Sequence, residues 1–192
     1  NKLYLNKGNM KFEDISEKAG VNVNKKWATG VTMADVNGDG NLDIYVCQGG
    51  SKLTPWADKA NLLYINNGDL TFTESAKKLG LDDSNMGTQA AFFDYDKDGD
   101  LDCFVLSESK YTLVAHKIIF EELKDKENMN RASSHLYRND NRRFKRVTES
   151  AGVIDISDAP MALFSSTCSR SCARVFIKRT MPFLSKLITP AV

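Results

Sequence analysis

Histidine is nearly missing from this sequence, and cysteine is scarce: His116 and His135 are the only histidines, and Cys47, Cys103, Cys168 and Cys172 the only cysteines, in 192 residues. Neither histidine stands in a metal or triad motif, so no histidine-based catalytic pair is predicted and each is expected as a surface or helix residue. The cysteines are too few for a disulfide framework, and the Cys168/Cys172 spacing lacks the CxxC pairs or histidine partners of a zinc site, so buried free thiols are expected. Charge of one sign is also missing. With 26 Lys+Arg against 25 Asp+Glu, net +1, the chain lacks the basic excess of a protein that binds nucleic acid through phosphates. No long apolar run occurs, because the most apolar stretch, 173–192, is broken by Arg174, Lys178, Arg179, Pro182 and Lys186, and no membrane span is predicted. The chain shows no leader-peptide pattern at Asn1, which carries no weight for a fragment. Acids vanish after Asp158, so the first 160 residues hold 21 basic and 25 acidic side chains, net −4, and the rest is purely basic.

What the chain does have is internal repetition. Asn1-Lys-Leu-Tyr-Leu-Asn6-Lys-Gly8, then Phe12 and Ala19-Gly20-Val21, recurs 60 residues later as Asn61-Leu-Leu-Tyr-Ile-Asn66-Asn-Gly68, Phe72 and Leu79-Gly80-Leu81. A third copy runs from Ser134-His-Leu-Tyr-Arg-Asn139 through Phe144 to Ala151-Gly152-Val153. It arrives about a dozen residues late. The extra length lies in 107–133, where Val114, Ile118 and Leu123 near helical spacing predict a short amphipathic helix at about 112–127. Within a repeat, short apolar runs flank Gly-containing turns and an Asp/Gly/Asn cluster, giving four short strands in about 60 residues. That is the pattern of a propeller blade. The expected units are repeat 1 at 1–60, repeat 2 at 61–106, the insertion 107–133, the start of repeat 3 at 134–158 and an atypical basic tail at 159–192.

Two segments carry chemistry. Asp35-Val-Asn37-Gly-Asp39-Gly40-Asn41-Leu-Asp43 and Asp94-Tyr-Asp96-Lys-Asp98-Gly99-Asp100-Leu-Asp102 share one pattern. Acids packed this densely repel one another unless a cation sits among them. Calcium takes six to eight hard oxygens, which alternate positions of a tight turn deliver to one centre. Positions 1, 3, 5 and 9 would supply side chains, Asn41 or Asp100 at position 7 a backbone carbonyl, and the glycine at position 6 the bend. An EF-hand is excluded, because its twelfth position needs a bidentate Glu and here holds Val46 or Val105. Dockerin-type loop-closing helices fail for the same reason. A strand–calcium-loop–strand hairpin is predicted instead, at two sites. The second loop, with four carboxylates at side-chain positions against three where Asn37 replaces an acid, is expected to bind more tightly.

Together, NxLYxNxGxxxF and DxDxDGxxD repeated every 60 residues or so resemble the FG-GAP/VCBS repeats of integrin-type calcium-binding β-propellers. More narrowly, the insertion that ends in Leu136-Tyr137-Arg138-Asn139 is similar to that of ASPIC/UnbV-associated, cartilage acidic protein-like proteins. The resemblance covers residues 1 to about 158. It implies an all-β, partial propeller of about two and a half blades, structural calcium in both loops, and secretion or display at the cell surface. Asp35, Asn37, Asp39, Asn41 and Asp43, and Asp94, Asp96, Asp98, Asp100 and Asp102, carry over as ligands. The family's C-terminal ASPIC/UnbV segment is not visible, and nothing attached to it is transferred.

The predicted function is therefore a non-enzymatic, calcium-binding extracellular module that interacts with a protein or glycan ligand and with the remaining blades of a parent propeller. The alternative is part of a polysaccharide-active enzyme such as a lyase, which a calcium-dependent uronate-cleavage assay on the parent would reveal. Nucleic acid is not an expected partner: Arg142, Arg143, Lys145 and Arg146 form one short run that reads as a solvated strand edge. Repeat-phased Tyr4, Tyr64, Tyr137, Phe12, Phe72 and Phe144 read as core. By the repeat spacing a third aspartate loop is due near residue 166, where Ser165 to Cys172 stands instead. The break marks the tail as foreign to the repeat, and resequencing tests whether it is native.

Overall fold

The computed structural model describes residues 1–22, 26–50, 53–107 and 134–153. The predicted insertion beyond Ser107 and the tail lie outside the described residues, as do His116, Cys168 and Cys172. The described chain is almost wholly antiparallel sheet with two single-turn helices. In order it forms β1 (Tyr4–Asn6), β2 (Phe12–Asp14), β3 (Ala28–Ala34), β4 (Asp43–Gln48), α1 (Trp56–Lys59), β5 (Leu62–Asn66) and β6 (Phe72–Glu74). Then follow α2 (Ala76–Leu79), β7 (Gly87–Phe93), β8 (Asp102–Ser107), β9 (His135–Asn139) and β10 (Phe144–Arg146). No helix among the described residues is long and apolar enough to cross a membrane.

The strands group into a two-stranded hairpin, β1-β2, and two four-stranded sheets, β3-β4-β5-β6 and β7-β8-β9-β10. Sheet and sequence repeat are out of phase. β3 and β4 belong to the first repeat, yet β4 pairs with β5 of the second through Ile44↔Tyr64, Tyr45↔Leu63 and Val46↔Leu62. In the same way β8 pairs with β9 of the third copy, with Cys103 opposite Tyr137. Each sheet thus takes two strands from each of two consecutive repeats, which ties the repeats together by main-chain hydrogen bonds.

Strand position follows from side-chain pattern. β4, Asp-Ile-Tyr-Val-Cys-Gln, is buried at every position, as expected of an apolar run without alternation in the middle of a sheet. β3 at the sheet edge alternates partly buried and exposed residues. Its inward side meets β7: Thr32 Oγ1 donates to Ala90 O at 2.6 Å, and a Cβ on Gly30 would lie 2.2 Å from Thr88 O. Only glycine permits that approach.

The main core lies between the two sheets, around Tyr45, Leu63, Leu81, Val105 and Phe144. Edge-on ring contacts of Phe92 with Tyr45 (5.8 Å) and Phe144 (6.5 Å) run through it. A second core of Ile15, Ala19, Val21, Val46, Leu62 and Tyr64 holds the β1-β2 hairpin against the other face of the first sheet. Cys47 and Cys103 are buried free thiols, as expected. Burial pushes the Cys47 thiol up to about 12 and raises that of Cys103 as well. Of the phased aromatics, Tyr64, Tyr137 and Phe144 are buried and Phe72 is half-buried, but Tyr4 and Phe12 are exposed. Lys145 and Arg146 are exposed on β10, the edge strand of its sheet.

Candidate metal centre

Both aspartate loops connect the first two strands of a sheet, 35–42 between β3 and β4 and 94–101 between β7 and β8, and the ninth-position acid opens the following strand. The strand–loop–strand expectation is met. The last aspartate is the fixed point of each loop. Asp43 is buried, and its carboxylate accepts the main-chain N–H groups of Val36 (3.0 Å) and Asn66 (2.8 Å). Asp102 is equally buried and accepts those of Tyr95 (2.8 Å) and Asn139 (2.8 Å). Each carboxylate therefore joins its own loop to the neighbouring LYxN strand.

That strand's closing asparagine completes the clamp. Asn66 Nδ2 donates to Leu42 O at 3.1 Å, and Asn139 Nδ2 reaches Leu101 O (3.2 Å) and Val36 O (3.3 Å) of the other sheet's loop. The repeat phasing of Asn6, Asn66 and Asn139 was visible in the sequence, but their service to the loops was not read from it.

The first-position aspartate shapes the loop. Asp35 accepts from Asp39 N (3.1 Å) and Gly40 N (2.8 Å), and Asp94 from Lys97 N (2.6 Å), Asp98 N (3.2 Å) and Gly99 N (3.2 Å). Gly40 and Gly99 at position 6 adopt φ of +86° and +97°, the left-handed bend required of them. The loops then differ. In the second, one oxygen each of Asp94, Asp96 and Asp102 lies within 4.8 Å of the others, so three carboxylates converge on one point. Asp98 and Asp100 stand outside that trio, Asp98 Oδ1 accepting Asp100 N at 2.9 Å. In the first, Asn37 turns its amide to Asp39, donating to Oδ2 at 2.9 Å, while Asp39 Oδ1 accepts Asn41 N at 2.8 Å. Among the described residues the second loop alone gathers three acids.

Electrostatics point the same way. Burial raises the Asp43 carboxyl, and Asp39 and Asp35 add repulsion against the hydrogen bonds that lower it. Burial likewise raises Asp102, with Asp96 and Asp98 adding to it. Asp39 is held below its ordinary range by the N–H of Asn41 and the amide of Asn37. All three converging groups of the second loop are carboxylates, whose hard oxygens suit a calcium or magnesium ion.

The family model for FG-GAP-like repeats matches residues 1–46 and 54–105, just over half of the chain. The chain belongs to the FG-GAP-like repeat family. Each matched stretch of this FG-GAP-like chain takes in an LYxN hairpin and ends inside the strand after an aspartate loop, so it steps from one sheet to the next. Repeats of this family are structural and adhesion modules rather than enzymes, and the chain is non-enzymatic on that ground. No curated protein matches the chain.

His135, like Tyr4 and Phe12, departs from its expectation. His135 is neither on the surface nor in a helix but buried in β9, its Nδ1 2.8 Å from Asp83 Oδ2. The reason is that partner: Asp83, itself buried and accepting Asn85 N at 2.9 Å, gives the imidazole a polar contact inside the protein.

Proposed function

We propose that this chain is a calcium-binding, non-catalytic part of a β-propeller of the ASPIC/UnbV-associated, cartilage acidic protein-like type. It presents its loops to a protein or glycan partner. The observation that carries this reading is the convergence of Asp94, Asp96 and Asp102, the last of them anchored by the buried main-chain N–H of Asn139. Asp98 and the carbonyl of Asp100 would complete the oxygen shell, and Asp35, Asn37, Asp39, Asn41 and Asp43 would hold a second, weaker ion. Bound calcium would neutralise the converging charges and fix the loop. Loops of extracellular modules fill at roughly 10⁻⁴–10⁻³ M calcium, so the reading places the protein outside the cytoplasm, in the periplasm or at a cell surface. Residues 1–60, 61–106 and 134–158 are then successive repeats, with 107–133 inserted and 159–192 set apart.

Thermal unfolding of the full chain in calcium and in chelator tests it. An ion at about 100 times its Kd adds ~2.7 kcal/mol, which raises Tm by roughly 5–10 °C in a domain of this size. Asp96→Asn should shrink that rise. Equal Tm values in calcium and chelator would defeat the proposal.

A further inference from the structure

Asparagine or aspartate precedes glycine at four places in the chain: Asn37-Gly38, Asp39-Gly40, Asn67-Gly68 and Asp98-Gly99. At such a pair the glycine nitrogen is an intramolecular nucleophile one residue from the side-chain carbonyl carbon, and the glycine has no side chain to shield its approach. The nitrogen attacks only after losing its proton, so a hydrogen bond that holds the N–H protects the pair. Three of the four pairs are protected in this way. Gly40 N donates to Asp35 Oδ2 (2.8 Å), Gly68 N to Asn66 Oδ1 (2.9 Å) and Gly99 N to Asp94 Oδ2 (3.2 Å). The N–H of Gly38 has no acceptor among the described residues.

The surroundings of Asn37 favour reaction too. Asn37 is half-buried and Gly38 exposed, and an atom built at the Cβ position of Gly38 meets nothing within 4 Å, so a ring has room to close. Asn37 Oδ1 accepts the main-chain N–H of Asp39 at 3.0 Å. That donor stabilises the negative charge which gathers on Oδ1 when the side-chain carbonyl is attacked. The amide nitrogen, held by Asp39 Oδ2 at 2.9 Å, is the leaving group. Asn67 is bound otherwise, its Nδ2 donating to Thr71 Oγ1 (2.9 Å) and its Oδ1 accepting from Thr73 Oγ1 (3.1 Å). Both tripeptides read Asn-Gly-Asp, so the two asparagine pairs match in local sequence and differ in structure.

We infer that Asn37-Gly38 is a site of spontaneous deamidation, which resets the charge of the first aspartate loop. Gly38 N, its proton lost to solvent, forms a bond to Asn37 Cγ. The Cγ–Nδ2 bond breaks, and the amide nitrogen takes up a solvent proton and leaves as ammonia, giving a cyclic imide. Water then opens the ring. Cleavage of the new Cγ–N bond yields aspartate, and cleavage of the original peptide bond yields isoaspartate, with one extra main-chain carbon. The balance is asparagine plus water to aspartate or isoaspartate plus ammonia, with no redox change. The aspartyl product carries at position 3 the carboxylate that Asp96 carries in the second loop, so the first loop gains a fourth side-chain acid and binds calcium more tightly. The isoaspartyl product displaces every later oxygen of the loop by one carbon and loses the site. The consequence for calcium rests on the calcium reading above; the modification itself does not.

The test ages the full chain in mildly alkaline buffer with chelator, with calcium and with urea, and follows each asparagine by peptide mapping and mass spectrometry, which separates the aspartyl from the isoaspartyl form. In chelator Asn37 is expected to convert several-fold faster than Asn67. In urea, where neither glycine N–H is held, the two rates should come together. Asn66→Ala, which removes the acceptor of the Gly68 N–H, should raise the Asn67 rate several-fold. Calcium should slow Asn37 by holding its side chain, and the aspartyl fraction should titrate with calcium as Asn37→Asp does. Equal rates at the two pairs in the folded chain, or faster conversion at Asn67, would overturn the inference. Fast conversion at Asn37 in a chain that takes up no calcium in either form refutes the calcium reading and leaves the modification site standing; calcium uptake with equal rates does the reverse.

Discussion

Asp102 and Asp96 separate two roles that the sequence pattern runs together. Asp102 is buried and satisfies the N–H groups of Tyr95 and Asn139, while Asp96 is exposed. Asp102→Ala strands the buried N–H of Asn139 and the part-buried N–H of Tyr95 and should cost about 3 kcal/mol even in chelator. Asp96→Asn should cost almost nothing there and act only on metal binding. Urea denaturation of both variants with and without calcium measures this, and equal losses in chelator would contradict it. Asp83 makes a different prediction. Burial raises its carboxyl, but the hydrogen bond and charge of His135 outweigh burial and hold it below the ordinary range. A carboxyl lowered on folding stabilises fully above its unfolded pKa of about 3.9 and loses that contribution as pH falls through the lower folded value. Stability should therefore fall in acid below about pH 4, and Asp83→Asn should flatten that limb of the profile. A profile unchanged by the substitution would count against the buried pair.

At the scale of elements, Gly80, which follows α2, governs how closely one sheet meets the next. Gly80 caps α2 at φ +86°, and a Cβ there would lie 2.4 Å from Phe144 O of β10 in the following sheet. Gly8, in the turn after β1 at φ +79°, has nothing within 4 Å of such an atom. Gly8→Ala should cost about 1 kcal/mol for its backbone alone, and Gly80→Ala about 3 kcal/mol, because main chain cannot yield as a flexible side chain does. Chemical denaturation of the two variants gives the comparison, and equal costs would argue against the packing role. This scale also shows what could be read in advance. The hairpin turns, the aspartate loops and the apolar β4 were legible because each is set by neighbours along the chain. The phase between repeat and sheet was not, because β4-to-β5 pairing joins different repeats and leaves no mark on a 60-residue period. The burial of His135 was hidden likewise, since its partner Asp83 lies 52 residues away.

At the scale of the molecule, two sheets and a hairpin share one arrangement in which every aspartate loop is clamped by the strand of the following repeat. Loop order and sheet order are thus coupled, and a cation at Asp94, Asp96 and Asp102 would act on the joint between repeats as well as on the loop. The measurement that bears most directly on this account is a calorimetric calcium titration of the full chain beside Asp96→Asn and Asn37→Asp. The account predicts binding within roughly 10⁻⁴–10⁻³ M, weakened about tenfold or more by Asp96→Asn and strengthened at the first loop by Asn37→Asp. Absence of binding at about 10 mM calcium, or identical isotherms for all three proteins, would contradict it.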